Sequence, residues 1–146
     1  MKALNKFTLT MDSRSANEGF ARLVASGFAA QLDPTVEELC DIKTAVSEAV
    51  TNCIVHAYPD GVGSIYISAG IFENGLVRIK IRDKGCGIAD IKKAMEPLYS
   101  SLGGERAGLG FAVMESFCDK ISVRSTQGKG TAVTLDKYIK GKDFGA

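Results

Sequence analysis

Three polar residues, Glu48, Asn52 and His56, follow one another at intervals of four along a predicted helix. Residues four apart lie on one side of an α-helix, so these side chains form a slowly drifting line beside the apolar stripe. A carboxylate and an amide in this arrangement suit Mg²⁺ coordination and the polarisation of a hydroxyl group. Solvated helix residues would show the same spacing, so the spacing alone leaves both interpretations open.

A second group, Asp83-Lys84-Gly85-Cys86-Gly87, follows a predicted strand. The alternation of Val77, Ile79 and Ile81 with charged residues predicts that Asp83 points toward the core, where an unpaired carboxylate is costly. Glycines at such a place let the backbone approach a ligand closely, and an inward carboxylate can accept a hydrogen bond from an exocyclic amine. A tight turn capped by the aspartate is the simpler alternative.

Two further glycine motifs come later in the chain. Arg106-Ala107-Gly108-Leu109-Gly110 opens a predicted helix, and the unpaired amides at a helix start favour an anion. The arginine adds a planar fork that suits phosphate oxygens. Neither a Walker loop nor a dinucleotide-binding fingerprint is present, because the residues that those motifs require are missing. Gly130-Thr131 begins the last pair of strands, where β-propensity alone explains the threonine.

Helices and strands must hold these motifs in place. Hydrophobic periodicity and turn signals predict strands over residues 4–11, 65–71, 77–83, 120–126 and 131–137. They predict helices over residues 15–32, 36–58 and 108–117, with a short helical stretch over residues 90–95. On the first helix, Phe20, Leu23 and Val24 are expected to pack inward. A capping box, Thr35 to Glu38, begins the second. The outline is an α+β two-layer sandwich, with a mixed or antiparallel sheet covered on one face by helices.

The composition places these motifs in an ordinary globular chain. It has 146 residues, of which 45% are hydrophobic and 24% charged, which excludes a disordered tail, a coiled coil and a collagen-like chain. The net charge of +1 predicts no global attraction to nucleic acid or to an acidic membrane. Six of the 16 glycines fall between Gly85 and Gly110. The four cysteines form no zinc-ligand set and no signal peptide or membrane span is predicted, which favours reduced thiols in the cytoplasm.

The four motifs, in this order, resemble the Bergerat-type ATP fold of the GHKL superfamily, which includes gyrase, the Hsp90 chaperones, histidine kinases and MutL. Within that superfamily the chain is similar to the small anti-sigma serine kinases of sporulation, over nearly its full length. The stretches that carry the resemblance are Asn17–Arg22, Gln31–Thr35, Ser47–Asn52, Ile81–Ile88 and Gly108–Phe111. The resemblance implies a single ATP-binding kinase domain over residues 1–146.

The same resemblance implies a role for each motif residue. Glu48 is expected to be the catalytic residue that takes the proton of the substrate serine, and Asn52 to coordinate the Mg²⁺ held by the triphosphate. Asp83 is expected to accept a hydrogen bond from the adenine amine, with Thr131 supporting that contact. Further contacts to ATP or ADP are expected at Gly85, Gly87, Ile88, Ser100, Ser101, Arg106, Ala107, Gly108, Leu109 and Gly110.

An ATP lid over residues 97–107 is implied as well, and there the chain departs from the family. Leu102 stands where a basic residue is expected after Ser100 and Ser101, and Gly103-Gly104 makes the segment shorter and looser. Arg22 is expected to contact protein partners, whereas the residue pattern alone favours a solvated arginine. His56 is interpreted as a structural polar group.

The implied function is that of an ATP-dependent protein-serine kinase and anti-sigma factor. It would bind a sporulation sigma factor of the sigma F type, and it would phosphorylate a serine of an anti-anti-sigma factor. A homodimer is expected, through the N-terminal strand and helix, with no direct contact to nucleic acid or membrane. A general-stress anti-sigma kinase and a nucleotide-gated sigma-binding module without kinase activity are the alternatives.

Overall fold

A computed structural model of the chain describes residues 2–88 and 110–141. Five strands form one sheet in the order β1-β2-β3-β5-β4, and all four pairings are antiparallel. The strands are β1 Asn5–Asp12, β2 Ser64–Ile71, β3 Leu76–Asp83, β4 Lys120–Thr126 and β5 Gly130–Tyr138. Of the two sheet types that the sequence left open, the described strands therefore form the antiparallel one.

Helices cover one face of this sheet, as expected for an α+β two-layer sandwich. Within the described residues these are α1 Ala16–Ala29, α2 Val36–Asn52 and α3 Phe111–Phe117. A 3-10 turn, Ala30–Leu32, follows α1, and a π-helical turn, Cys53–Ala57, continues α2. α2 packs against both α1 and α3. No helix in residues 2–88 or 110–141 is long and apolar enough to cross a membrane.

The face that α1 buries differs from the predicted one. Phe20 is 50% exposed and Leu23 is 68% exposed, so the prediction that both pack inward is wrong, and Val24 is only half-buried. The residues that α1 buries are small, namely Ala21, Ala25, Ser26 and Ala29. Small side chains let two helices approach closely, so α1 turns this stripe to the core and leaves its bulky apolar residues at the surface.

The start of α2 is fixed by the predicted capping box. Thr35 Oγ1 accepts a hydrogen bond from the Glu38 N–H at 3.1 Å, and the Glu38 carboxylate accepts one from the Thr35 N–H at 2.9 Å. The same carboxylate accepts from the N–H groups of Lys140 and Gly141 at 2.8 and 3.1 Å. Burial alone would raise the pKa of Glu38, but these backbone hydrogen bonds outweigh it and lower the pKa.

β3 shows how the sheet separates its two faces. Val77, Ile79, Ile81 and Asp83 are buried toward the helices, while the residues between them are exposed on the other face. This alternation follows from the period of two in a strand, and it confirms the prediction that Asp83 points inward.

Candidate functional site

Asp83 ends β3 as a carboxylate that is only 7% exposed. Its Oδ1 accepts hydrogen bonds from the N–H groups of Gly85 at 2.9 Å and Thr131 at 3.3 Å. Its Oδ2 accepts from the Cys53 thiol at 3.6 Å. The aspartate thus caps the turn, as the simpler alternative expected. A carboxylate offers about four acceptor positions, so this role is compatible with accepting a further hydrogen bond from a ligand.

Cys53 supports this carboxylate from the first residue of the π-helical turn. Burial, together with the nearby charge of Asp83, raises the pKa of the Cys53 thiol far above its usual range. The thiol therefore stays protonated and remains a donor to Oδ2. Cys53 is thus an unreactive residue of the core.

The π-helical turn itself reaches the loop that follows β3. The backbone carbonyl of Ala57 accepts from the Cys86 N–H at 3.0 Å, and that of His56 accepts from the Cys86 thiol at 3.1 Å. π-helical turns occur often at functional sites. This one joins the helix that carries Glu48 and Asn52 to the loop that follows Asp83.

Gly85 and Gly87 are required by the packing of this loop. A Cβ at Gly85 would overlap the carbonyl group of Ala57, which is backbone and cannot move aside cheaply. Gly87 has a φ of +73°, a left-handed conformation that favours glycine, and a Cβ there would overlap the carbonyl of Thr126. The contacts within the protein are thus sufficient to account for both glycines.

Thr131 stands opposite Asp83 in the pairing of β3 with β5. Its hydroxyl lies 2.8 Å from Ser125 Oγ. Ser125 Oγ also accepts from the Ile88 N–H at 2.7 Å and donates to the Gly130 carbonyl at 3.1 Å. One serine therefore holds together the loop after β3, strand β4 and the start of β5.

The sequence motifs missed two side chains that position this site, Ser125 and Tyr58. Tyr58 Oη donates to the Ser64 carbonyl and accepts from the Lys84 N–H, both at 2.7 Å. It thereby fixes the end of the π-helical turn to β2 and to the loop after β3. The pairing of Ser125 with Thr131 across a glycine turn was a usable sequence signal, whereas no local pattern indicates the contacts of Tyr58.

Replacing Ser125 by alanine is expected to lower the free energy of unfolding by about 1–3 kcal/mol, because it removes the partners of the Ile88 N–H and the Gly130 carbonyl. Ser122→Ala is the matched control, since Ser122 lies on the same strand and is exposed on the opposite face. Urea denaturation measures both variants. Equal free energies of unfolding for the two would contradict the role assigned to Ser125.

Glu48 is half-buried on α2 and contacts Gly110, the residue that precedes α3. Gly110 has a φ of +69°, and a Cβ there would overlap Glu48 Oε2. Burial raises the pKa of the Glu48 carboxyl group above its ordinary value. A carboxylate whose pKa is raised in this way is a better proton acceptor, as a general base requires.

Asn52 lies one helical turn after Glu48, and it was expected to coordinate the Mg²⁺ held by the triphosphate. In proteins that bind phosphates, Mg²⁺ takes one or two protein oxygens and completes its shell with phosphate and water oxygens. Residues 2–88 and 110–141 contain no group of three His, Cys, Asp or Glu side chains that could hold a metal ion. The side-chain oxygen of Asn52 fits this chemistry as one protein ligand of a Mg²⁺ that is bound together with a phosphate.

Arg22 lies on the exposed side of α1 and is connected to α2. Its Nε donates to Glu18 Oε2 at 2.7 Å, and the same oxygen accepts from Ser47 Oγ at 2.7 Å. Ser47 directly precedes Glu48 in α2. The surface that carries Arg22 is thus joined to the segment that carries Glu48.

Part of the predicted site lies outside the described residues. This applies to the predicted helical stretch over residues 90–95 and to the expected lid over residues 97–107. It also applies to the expected contacts at Ser100, Ser101, Arg106, Ala107, Gly108 and Leu109. The structure describes the other predicted site residues. It brings Glu48 to Gly110, and it brings Asp83 to Gly85 and Thr131.

Comparison with known proteins shows which family the chain belongs to. Residues 11–137 match the family described as the histidine kinase-like ATPase domain. The chain is 55% identical over 140 residues to the anti-sigma F factor of Caldanaerobacter subterraneus subsp. tengcongensis, covering 95% of this chain and 97% of that protein. It is 50% identical over 134 residues to the anti-sigma F factor of Clostridium acetobutylicum, covering 91% and 93%.

Solved structures share the fold at low sequence identity. The RsbU and RsbW domains of a Mycobacterium tuberculosis protein match with a TM-score of 0.69 and 21% identity, covering 92% of this chain and 32% of that one. The histidine kinase domain of a blue-light activated kinase from Erythrobacter litoralis matches with a TM-score of 0.57 and 19% identity, covering 85% and 60%. These similarities establish the fold that the four motifs indicated.

Proposed function

We propose that this chain is an ATP-dependent protein-serine kinase that also inhibits a sigma factor, on the premise that it belongs to the anti-sigma F factor family of histidine kinase-like ATPase domains. The observation that carries the proposal is the single helical segment α2 with its π-helical turn. That segment bears Glu48 near Gly110 and brings Cys53 to the buried Asp83.

The nucleotide part of the proposal rests on Asp83. With Oδ1 and Oδ2 acting only as acceptors, the carboxylate suits the exocyclic amine of adenine, which is a donor. Guanine presents a carbonyl oxygen at the corresponding position, and two acceptors would repel each other there. Thr131, held by Ser125, would support the same contact. The site would accordingly select ATP or ADP over guanine nucleotides.

The catalytic part rests on Glu48 and Asn52. Glu48 would take the proton of a serine hydroxyl as the serine oxygen forms its bond to the γ-phosphorus and the bond to the ADP oxygen breaks. Asn52 would help to hold a Mg²⁺ ion, which when bound neutralises charge on the phosphates. Phosphoryl transfer depends mainly on such positioning and charge neutralisation. The remaining contacts proposed for the nucleotide are Gly85, Gly87, Ile88 and Gly110 within the described residues.

The partner-binding part rests on the surface of α1. Phe20 and Leu23 are largely exposed beside Arg22, and apolar side chains around an arginine are typical of protein interfaces. The proposed partners are a sporulation sigma factor of the sigma F type and an anti-anti-sigma factor whose serine is the substrate. We also propose a cytoplasmic homodimer that joins through β1 and α1, without direct contact to nucleic acid or membrane.

Leu23→Asp is expected to weaken binding of the partner proteins at least about tenfold, because it replaces an apolar contact with a charge that would lose its hydration in the interface. The fold should be unaffected, since Leu23 is 68% exposed. Val36→Asp is the matched control, because Val36 is 74% exposed on α2. Surface plasmon resonance with immobilised partner compares the two. Equal affinities of the two variants for the partner would show that this surface of α1 is not part of the interface.

The anti-sigma part is tested by capture of a purified sigma factor on the immobilised protein with ATP and with ADP. Retention that is stronger with ATP than with ADP supports nucleotide-controlled inhibition. Equal retention with both nucleotides, or no retention with either, would contradict it.

A further inference from the structure

The sheet face turned away from the helices carries a concentrated positive charge. We call this face the open face. It consists of three even-numbered residues from each strand, within the ranges 6–10, 66–70, 78–82, 120–124 and 132–136. The strand register aligns these residues in three rows across the sheet. Six of these positions are basic: Lys6, Arg78, Lys80, Arg82, Lys120 and Arg124. Among the open-face positions the single acid is Asp136, which pairs with Arg78 at 2.8 and 3.0 Å.

The positive charge of the open face is largely uncompensated. All six basic residues are exposed. Five of them take part in none of the ion pairs found in residues 2–88 and 110–141, namely Lys6, Lys80, Arg82, Lys120 and Arg124. The net charge of the whole chain is only +1, so the other residues together are acidic. The near-neutral total therefore conceals a separation of charge, and the field over the open face favours an anion.

The shape of the open face suits an extended ligand. It forms a depression of about 550 Å³, and five of its six basic residues line it. Ser68 and Thr134 flank Lys80 on the neighbouring strands, so the floor beside this lysine is small and carries hydroxyl groups. A polypeptide backbone can approach such a floor and form hydrogen bonds with it.

The spacing of the charges points to a particular pattern in the ligand. Lys80 and Arg82 stand at alternate positions of β3, the central strand of the sheet, and neither takes part in the ion pairs of the described residues, whereas Arg78, two positions before Lys80, is paired with Asp136. Alternate residues of a strand are about 6.6–6.8 Å apart, and an extended segment places its own alternate side chains at the same interval. We propose that the open face is a docking surface for an extended protein segment with Asp or Glu at alternate positions.

Nucleic acid is a poorer match for the same charges. Sheets that bind single strands use exposed aromatic rings on which bases stack. Tyr66 is the single aromatic residue among the open-face positions, and its ring is covered by the Arg82 guanidinium at 4.7 Å and the Lys84 ammonium at 5.0 Å. Phe7 and Phe72 also line the depression, but Phe7 packs against Phe28 and the ring of the buried Phe72 lies beneath the Arg78 guanidinium at 5.7 Å. A membrane is also disfavoured, because among the open-face positions the one aliphatic side chain is that of Ala132.

Fluorescence anisotropy tests the proposal with the full chain and a labelled peptide of alternating glutamate and serine, about nine residues long, at an ionic strength below about 0.1 M. The glutamate peptide is expected to bind, and its glutamine counterpart to bind at least about tenfold more weakly. Lys80→Glu should weaken binding at least about fivefold. Lys43→Glu, at an exposed position of α2, should leave it unchanged. Thermal unfolding shows that both variants are folded.

Three results would overturn the proposal. One is equal affinity for the glutamate and glutamine peptides. Another is an equal loss of affinity in Lys80→Glu and Lys43→Glu, which would indicate attraction to the whole chain and not to the open face. The third is tighter binding of a single-stranded oligonucleotide or of phosphatidylserine vesicles than of the glutamate peptide. None of these results depends on kinase activity, so the proposal is separable from the proposed function.

Discussion

Glu48→Gln is expected to reduce the rate of phosphoryl transfer by at least about 100-fold while ATP binding is retained. A positioned general base contributes roughly 10²–10⁴ to the rate, and glutamine is nearly the same size but cannot take a proton. Single-turnover transfer from labelled ATP to the anti-anti-sigma factor measures the rate, and calorimetry measures ATP affinity. Glu37→Gln is the control, because Glu37 lies exposed on the same helix.

The pKa of Glu48 makes this prediction sharper. Burial raises that pKa in the folded protein, so the carboxylate form destabilises the fold at neutral pH. This cost decreases as the pH falls through the raised pKa and is gone below the ordinary pKa of the unfolded chain. Glu48→Gln should therefore keep or raise the free energy of unfolding at neutral pH, which separates a catalytic loss from misfolding.

In the wild type, the rate of phosphoryl transfer should decline as the pH falls through the raised pKa of Glu48. A rate of transfer near that of the wild type in Glu48→Gln would exclude Glu48 as the base.

Asp83→Asn is expected to weaken ATP binding by a factor of about 5–150, because an unpaired buried polar group costs about 1–3 kcal/mol. The amide oxygen can still accept from the Gly85 and Thr131 N–H groups, as Oδ1 does now. The new NH₂ group then stands where Oδ2 was, and it cannot accept from the adenine amine. Calorimetry measures the affinity, with Asp60→Asn as the control at an exposed position.

A change of base preference distinguishes this effect from a general disturbance of the loop. The NH₂ group of Asp83→Asn can donate to a carbonyl oxygen, which inosine triphosphate presents in place of the adenine amine. The ratio of ATP affinity to inosine triphosphate affinity should therefore fall at least about tenfold in the variant. Unchanged ATP affinity would mean that Asp83 only caps the turn.

Local patterns were sufficient to predict much of the fold and part of the candidate site. The period of two in β3 predicted the inward direction of Asp83, and the spacing of Thr35 and Glu38 predicted the capping box. Both are properties of a few consecutive residues. The order of the four motifs then indicated the ATP-binding fold, which the family match confirms.

Features that depend on how distant segments meet were not predictable in this way. Phe20 and Leu23 have helical spacing but lie exposed, because the alanine stripe of α1 packs more closely on the core. The contacts of Tyr58 and the π-helical turn need the loop after β3 as a partner. The positive charge of the open face could not be predicted from the net charge, because the net charge is a sum over the whole chain. The charges come together only through the strand register, which places Lys80 beside its neighbours on β2 and β5.

The proposed kinase activity is the transfer of the γ-phosphoryl group of ATP to a serine of a protein partner. The most direct measurement is single-turnover labelling of the anti-anti-sigma factor by the wild-type protein with γ-labelled ATP, followed by mass spectrometry of the modified residue. Label is expected in phosphoserine, with about one phosphoryl group per partner molecule. ATP-dependent capture of the sigma factor without any labelling of the partner would contradict the kinase claim and would favour a nucleotide-gated binding module.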